Sequence, residues 1–327
     1  MSLELFRRAL ERRRELLSRL LAERTDCYRL FHGVAEGRPG LTIDRYGPIL
    51  LLQTWRDALT PDEISDYHRE VEALLETSMT PVWNHRAEKL PTSSWSAEPP
   101  IGHELGIRYD VTPRHRGQDP LLFLDLRAGR RLIQQHARGR SVLNLFAYTG
   151  GATLCAALGG ASEVWNVDFA RSAIDWTRRN LELNDVGADR VRCVQEDVIP
   201  VLRQLAGLSV KGRGARKRQY QRFEPRSFDL VVLDPPRWAK SPFGAVDLVR
   251  DYPSLLKPAL LATAPGGALL VTNNAARVER DAWVHVLERT ADKCGRSLVS
   301  LDVIEPEEDF PSVDDAPLLK IAWLQVA

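Results

Sequence analysis

The sequence predicts an α/β protein whose larger part is a Rossmann-like seven-stranded sheet, preceded by a smaller N-terminal α+β domain. Three observations carry that prediction. From about residue 120, apolar strand-like runs alternate with helical periodicity, the rhythm of parallel strands joined by crossover helices. The first run leads into a turn with two adjacent glycines and a small-residue helix, VLNLFAYTGGATLCAALGG (142–160), and such turns bring backbone to a ligand. The fourth run, FDLVVLDPPRW (228–238), ends in Asp-Pro-Pro, which sets a carboxylate and rigid backbone at the sheet edge where α/β proteins bind ligands.

Each element follows from local pattern. LELFRRALERRRELLSRLLAER repeats Leu3, Phe6, Leu10, Leu17 and Leu20 or Leu21 at helical spacing, so residues 1–25 are expected to form one amphipathic helix packed on the body. Its interleaved Glu4, Glu11, Glu15 and Glu23 argue against a transit peptide. Residues 26–115 are expected to form the small domain, in which YRLFHGV, LTIDRY and ILLLQTW read as strands separated by EGRPG and Gly47-Pro48. Thr60, Pro61 and Glu63 give the cap, first-turn proline and capping box of a helix. PVWNHRAEKL and GIRYDVTP read as two further strands around the loop PTSSWSAEPP. In 116–327 strands are expected at 141–146, 163–168, 190–195, 228–233, 267–272, 298–304 and 317–326, with helices through Leu202, Leu261 and Val286. Only EPEEDFPSVDDA separates the last two strands, which predicts an antiparallel pair at the end of the sheet.

Composition limits the function classes. A chain of 327 residues with a net charge of +1 is no polycation, so a nucleic-acid site must be a local patch. Its four cysteines, Cys27, Cys155, Cys193 and Cys294, lack CxxC spacing, sit in apolar stretches, and read as reduced, buried thiols of a cytoplasmic protein. No apolar run approaches the roughly 20 residues of a membrane helix, and no metal site is expected.

The cofactor follows from the turns. FAYTGGAT lacks the GxGxxG spacing of a dinucleotide site. S-adenosylmethionine carries no pyrophosphate and needs only close backbone approach, here at Gly150 and Gly151, with a carboxylate at the next strand end to accept the ribose hydroxyls. Asp168 is placed for that, although NAD would want the same acid. Asp197, after the third strand, suits an adenine amino group and equally suits a helix N-cap before IPVLRQL. Asp234-Pro235-Pro236 decides between cofactors. Its prolines free carbonyls to face a planar base, and a dehydrogenase has no use for that construction, although an isolated DPP is also a structural turn. S-adenosylmethionine is therefore expected.

Residues 122–198 and 228–274 resemble the bacterial large-subunit (23S) ribosomal RNA methyltransferases of class I, through LFLDLRAGRRL, VLNLFAYTGGATL, VDFARSAIDWTRRNLELND, QEDV and DPPRW. RLFHGVAEGRPGLTIDRYG and LGIRYDV resemble the central domain of that family, whose members often begin with a PUA RNA-binding domain where this chain has a helix. The resemblance implies a class I methyltransferase sheet. It also implies a cofactor pocket lined by Phe123, Asp125, Arg127, Asn144, Phe146, Tyr148, Thr149, Gly150, Asp168, Phe169, Asp197 and Asp234, and ribosomal RNA as partner.

The methylated atom follows from what the strand ends hold. Cytosine C5 chemistry needs a thiolate to add at C6, and the cytosine branch of the family places a cysteine at the end of the fifth strand. Here ALLVTNNAA puts Asn273 and Asn274 there, and no cysteine lies near either motif in sequence. VTNN resembles the guanine-N7 branch. A ring nitrogen has its own lone pair and needs orientation in a dry pocket, and amides can read a base edge. Asn273, with Asp234, Pro235 and Pro236, is the expected catalytic group, although both asparagines could instead terminate the strand through local hydrogen bonds. An exocyclic amine is the alternative target.

Trp238 could stack on a flipped base or simply pack. The insert VKGRGARKRQYQRFEPR (210–226) carries Lys211, Arg213, Arg216, Lys217, Arg218, Arg222 and Arg226 against a single acid, Glu224, with Tyr220 and Phe223 interleaved. Such a loop can grip phosphates while its aromatics stack on unpaired bases, or it can be a solvated surface. The sequence leaves two other readings open: a small-molecule or protein methyltransferase on the same fold, and a non-catalytic RNA-binding assembly factor. It leaves monomer and homodimer equally open.

Overall fold

The computed structural model describes residues 2–87, 98–113, 119–210, 219–313 and 316–327. The chain divides into two compact units, Met1–Arg127 with Glu307–Asp315, and Ala128–Pro306 with Ala316–Ala327. The sequence puts the boundary near residue 115 and reads the 305–316 segment as a plain strand connection. The boundary instead lies twelve residues later, and part of that connection belongs to the first unit.

The amino terminus forms two helices rather than one, α1 (Ser2–Arg12) and α2 (Arg14–Ala22), interrupted at Arg13. Their apolar stripe is as the spacing predicts: Phe6, Ala9, Leu10, Leu16, Leu17 and Leu20 are buried in the core of the unit, while Leu21 is exposed. Arg13, at the interruption, is buried. The Arg13 guanidinium turns inward and donates to both Glu36 oxygens at 2.7 and 3.0 Å, to the Ala9 carbonyl at 3.0 Å and to the Arg29 carbonyl at 3.0 Å. A buried arginine needs all of those partners.

Strands β1 (Cys27–His32), β2 (Leu41–Tyr46) and β3 (Ile49–Thr54) form an antiparallel meander. Helix α3 (Pro61–Leu75) then crosses to β4 (Thr80–His85), which lies parallel to β3. The predicted capping box is formed, with Thr60 Oγ1 accepting from the Glu63 amide and the Glu63 carboxylate accepting from the Thr60 amide. GIRYDVTP contributes β6 (Ile107–Asp110), which pairs with a short strand, β5 (Ile101–Glu104).

In the second unit, α4 (Arg127–His136) leads into β7 (Ser141–Leu145), α5 (Gly151–Leu158), β8 (Glu163–Asp168), α6 (Arg171–Leu183), β9 (Val191–Gln195), α7 (Val198–Leu205) and β10 (Phe228–Leu233). After a hairpin of β11 (Trp238–Ser241) and β12 (Gly244–Asp247) come α8 (Pro253–Leu261), β13 (Thr263–Asn273), α9 (Arg280–Lys293), β14 (Leu298–Ile304) and β15 (Lys320–Val326). All seven predicted strands join one sheet, in the order β14-β15-β13-β10-β7-β8-β9. β15 runs antiparallel between β13 and β14, whereas the β13-β10-β7-β8-β9 run is parallel. This is the class I Rossmann-like architecture the sequence implies. The strand order reverses between β7 and β10, so a crevice opens at their carboxyl ends.

Candidate functional site

Because β7, β8, β9, β10 and β13 are parallel, the segments following them emerge at one edge of the sheet. Phe146 to Gly150 follow β7, Asp168 ends β8, Asp197 follows β9, Asp234 follows β10 and Asn273 ends β13.

The turn after β7 holds three residues in the left-handed region within five positions. Phe146, Tyr148 and Gly150 have φ of 57°, 50° and 82°. A non-glycine residue in that region costs about 1–3 kcal/mol and persists only where its surroundings enforce it. Here they do. The Tyr148 amide donates to Asp168 Oδ2 at 2.9 Å, Asn180 Nδ2 donates to the Thr149 carbonyl at 3.0 Å, and the single Thr177 hydroxyl proton is shared between the Ala173 carbonyl at 3.0 Å and the Tyr148 carbonyl at 3.2 Å. Gly150 has a second requirement, since a Cβ there would lie 2.7 Å from Thr177 Cγ2. Asn144 sits beneath the turn, buried, donating to Thr153 Oγ1 at 2.9 Å, and Thr153 in turn donates to Asn166 Oδ1 at 2.5 Å. These bonds tie β7, α5 and β8 together.

Asp168 is 7% exposed. Its two oxygens accept from the Tyr148 and Ala170 amides, each at 2.9 Å. Burial raises its carboxyl above the usual aspartate range, against the opposing pull of the Ala170, Tyr148 and Phe169 amides. A carboxylate offers about four lone-pair sites, so two backbone donors leave capacity for a diol. Phe169, next in the chain, is 70% exposed and can cover a ligand. Asp197 is the N-cap of α7, accepting from the Ile199 amide at 2.9 Å. That is its capping reading, and one such bond leaves the carboxylate able to accept another. The donor set fits S-adenosylmethionine, with a buried acid for the ribose, a second acid for the adenine amino group, and a turn free of the pyrophosphate spacing.

At the other side of the crevice Asp234 is half-buried, Pro235 buried and Pro236 exposed. Thr272 Oγ1 donates to Asp234 Oδ1. The sequence places Asn273 beside Asp234; the structure places Thr272 there. Asn273 is fully buried and its amide holds local backbone, accepting from the Ala275 amide at 2.9 Å and donating to the Leu248 carbonyl at 3.4 Å. This is the strand-terminating role, and it corrects the expectation that Asn273 reads a base. Asn274 differs, since its buried Oδ1 has no hydrogen-bond partner among the described residues. Period-two alternation along VTNN was the available signal, because adjacent strand residues face opposite sides.

Phe123, Asp125 and Arg127 close the first unit. Phe123 is exposed, and Asp125 is half-buried in a 3₁₀ turn spanning Leu124–Leu126. Arg127 is 0% exposed, donating to Glu307 and Asp309 at 2.6 Å each and to the Cys27 carbonyl at 3.1 Å. Burial works against its charge, but Asp309 and Glu307 outweigh it and hold the guanidinium above its usual range. Its side chain thus ties down the returning segment rather than lining a pocket, a correction the remoteness of Glu307 in sequence made invisible.

No cysteine lies at the ends of β10 or β13. Cys27 is in β1, Cys155 in α5, Cys193 in β9, and Cys294 ends α9. Cys27 and Cys155 are buried as expected, whereas Cys193 and Cys294 are half-buried. Burial pushes the thiols of Cys27, Cys193 and Cys294 up, away from reactive thiolate.

Lys211, Arg213, Arg216, Lys217 and Arg218 lie outside the described residues. The end of their insert is anchored at the carboxyl edge of β9. The Gln221 amide donates to Glu196 Oε2 at 2.9 Å, and Gln221 Nε2 to the Gln195 carbonyl at 3.2 Å. Tyr220 packs edge-on against Phe243 of the hairpin at 5.3 Å, and the Arg222 guanidinium lies over the Tyr220 ring at 4.3 Å. Arg226 pairs with Glu163 and stacks on Phe228 at 4.9 Å. Trp238, which opens the hairpin, is 63% exposed. Among the described residues no group of His, Cys, Asp or Glu could hold a metal ion, and no helix is long and apolar enough to cross a membrane.

Comparison with known proteins agrees with this geometry. A family model described as S-adenosylmethionine-dependent methyltransferase matches residues 28–325. The ribosomal RNA large subunit methyltransferase I of Aeromonas hydrophila is 30% identical over 296 residues, covering 87% of this chain and 70% of the relative. A crystal structure of a methyltransferase complexed with SAH superposes with a TM-score of 0.79 at 22% identity, over 99% of this chain and 80% of that one. A SAM-dependent methyltransferase from Streptococcus mutans gives 0.77 at 22% identity, with the same coverage. The chain belongs to the S-adenosylmethionine-dependent methyltransferase family and is an enzyme that uses S-adenosylmethionine as its methyl donor.

Proposed function

We propose that this enzyme methylates a base of large-subunit ribosomal RNA, and that the atom methylated is guanine N7. The RNA reading is supported by relatives named for the large ribosomal subunit. The choice of atom rests on one observation: the carboxyl ends of β10 and β13 carry an oriented carboxylate and asparagines, and no thiol.

Bound S-adenosylmethionine supplies a methyl group already activated on a sulfonium. The chain's own residues orient the two partners. Asp168 accepts the ribose hydroxyls, Asp197 accepts from the adenine amino group, and the turn from Phe146 to Gly150 presents backbone held by Thr177 and Asn180.

Asp234 is acceptor-only when ionised, so it holds a base through that base's N–H groups. Guanine N7 carries no hydrogen and stays bare for attack. Alkylation there leaves a cationic base and requires no proton removal, so a fixed negative charge at Asp234 stabilises the charge that develops. Pro235 and Pro236 fix the backbone beside it. Asn274, with an unpartnered oxygen, replaces Asn273 as the amide available to the base edge. Trp238 stacks on the extruded base, and Arg222 with Lys211, Arg213, Arg216, Lys217 and Arg218 grips the phosphates.

The test is methyl transfer from labelled cofactor to large-subunit RNA, followed by borohydride and aniline. Chain scission at the modified site is expected. Methylated RNA that resists scission rejects N7 for an amine or another atom, and absence of transfer to RNA rejects the substrate class.

A further inference from the structure

A buried hydroxyl outside the predicted site touches the group on which the proposed chemistry depends. Thr272 is the penultimate residue of β13, in an otherwise apolar run, Ala268 to Val271. Leu233 pairs with Val271 across the parallel β10–β13 ladder, so the next residues, Asp234 and Thr272, stand side by side. Packing alone would be served there by valine, since burying a hydroxyl is unfavourable unless it is hydrogen-bonded. The acceptor Thr272 uses is the Asp234 carboxylate.

Thr272 is itself held from behind. Its carbonyl accepts from the Tyr252 hydroxyl at 2.9 Å. Tyr252 is buried, its ring meets Trp283 of α9 edge-on at 5.8 Å and 87°, and Trp283 is fully buried in the core. A β-branched side chain on an extended backbone has few χ1 choices, so a fixed Thr272 backbone fixes where its Oγ1 sits, within donating reach of Asp234.

We infer that Thr272 is a positioning residue for methyl transfer: its hydroxyl sets the plane of the Asp234 carboxylate, and Tyr252 holds Thr272 in register. The inference rests on the role proposed above for Asp234. Thr272 acts through Asp234 without touching substrate, so its loss affects the rate of the bound complex more than its formation.

Four variants separate the outcomes: Thr272→Val, Thr272→Ser, Tyr252→Phe and Asp234→Asn, each measured for kcat, KM for RNA, cofactor Kd by calorimetry, and melting temperature. Thr272→Val keeps the shape and removes the donor; kcat is expected to fall about 30- to 100-fold, as for slight misplacement of a reacting group, while KM and Kd stay within about threefold. Thr272→Ser restores the donor and should recover most of the rate. Tyr252→Phe keeps the ring packing and should lower kcat about three- to tenfold, and it carries the test if Thr272→Val does not fold. Asp234→Asn with wild-type turnover removes the basis in Asp234. Asp234→Asn inactive alongside Thr272→Val at wild-type kcat overturns the Thr272 inference alone. Thr272→Ser as slow as Thr272→Val means packing rather than the hydroxyl matters, which also overturns it.

Discussion

Replacing Asp168 by alanine removes the group that holds the turn after β7 and to which the ligand ribose is proposed to bind. In the folded chain its oxygens accept the Tyr148 and Ala170 amides at 2.9 Å each. A hydrogen bond to a charged group contributes about 1.5–3 kcal/mol, and an orphaned buried amide carries its own penalty. Relief of burying the charge, visible in the raised carboxyl, offsets part of this. A net destabilisation of about 2–4 kcal/mol is expected in urea unfolding. The same substitution deletes the proposed acceptor for the ribose hydroxyls, and each 1.4 kcal/mol lost is tenfold in affinity. Calorimetry with S-adenosylmethionine should therefore show at least a tenfold weaker Kd under conditions where the variant is folded. Asp168→Asn keeps an acceptor for one amide, so it should recover part of the stability and little of the affinity. Protonation of the carboxyl should weaken ligand binding as the alanine does. Since burial raises it, affinity is full above that raised value and is lost on acidification earlier than an ordinary aspartate would allow. Its effect on stability has the opposite sign, because the buried charge penalises the fold as pH rises through the same range. Unchanged cofactor affinity in Asp168→Ala would refute the assignment.

Three further outcomes are expected. Substituting Cys27, Cys155, Cys193 and Cys294 together by Ala or Ser should lower stability through lost packing yet leave turnover measurable in the folded fraction; a covalent RNA adduct lost with any one of them would return the chemistry to cytosine C5. Neutralising Arg216, Lys217 and Arg218 should weaken RNA binding and flatten its salt dependence by roughly 0.7 log units per lost single-strand contact, with cofactor affinity unchanged, and an unaltered salt slope would make that loop a solvated surface. His32 is held neutral, down to about 4, by burial and by the neighbouring Arg29, so its contribution to stability is complete above the unfolded histidine value and declines as pH falls from about 6.5 toward 4; urea unfolding of His32→Gln between pH 7.5 and 4.5 should lose that part of the slope.

What the sequence disclosed was what local pattern encodes. The apolar runs that became β7, β8, β9, β10, β13, β14 and β15 stand in order along the chain, and Thr60 with Glu63 announces its own cap. Partners distant in sequence leave no such mark. Glu36 is what receives the Arg13 guanidinium between the first two helices, and Asp309 is what engages Arg127. The β11–β12 hairpin was missed because WAKSPFGAVD shows no alternation and contains a proline. The positions of the candidate carboxylates Asp168, Asp197 and Asp234 at the carboxyl edge were legible because each ends or follows an apolar strand. Thr272 was hidden beside two asparagines that looked more chemical. In a β-strand the chemistry of a residue type matters only on the face it shares with the ligand.

The measurement closest to the central claim is mass spectrometry of nucleosides from large-subunit ribosomal RNA, isolated from cells with and without the gene. 7-Methylguanosine should fall by one residue per ribosome when the gene is removed, and return when the wild-type chain, but not Asp234→Asn, is restored. An unchanged 7-methylguanosine level with loss of 5-methylcytidine or of an amine-methylated base would contradict the assigned atom. No change in any methylated nucleoside would contradict ribosomal RNA as the substrate.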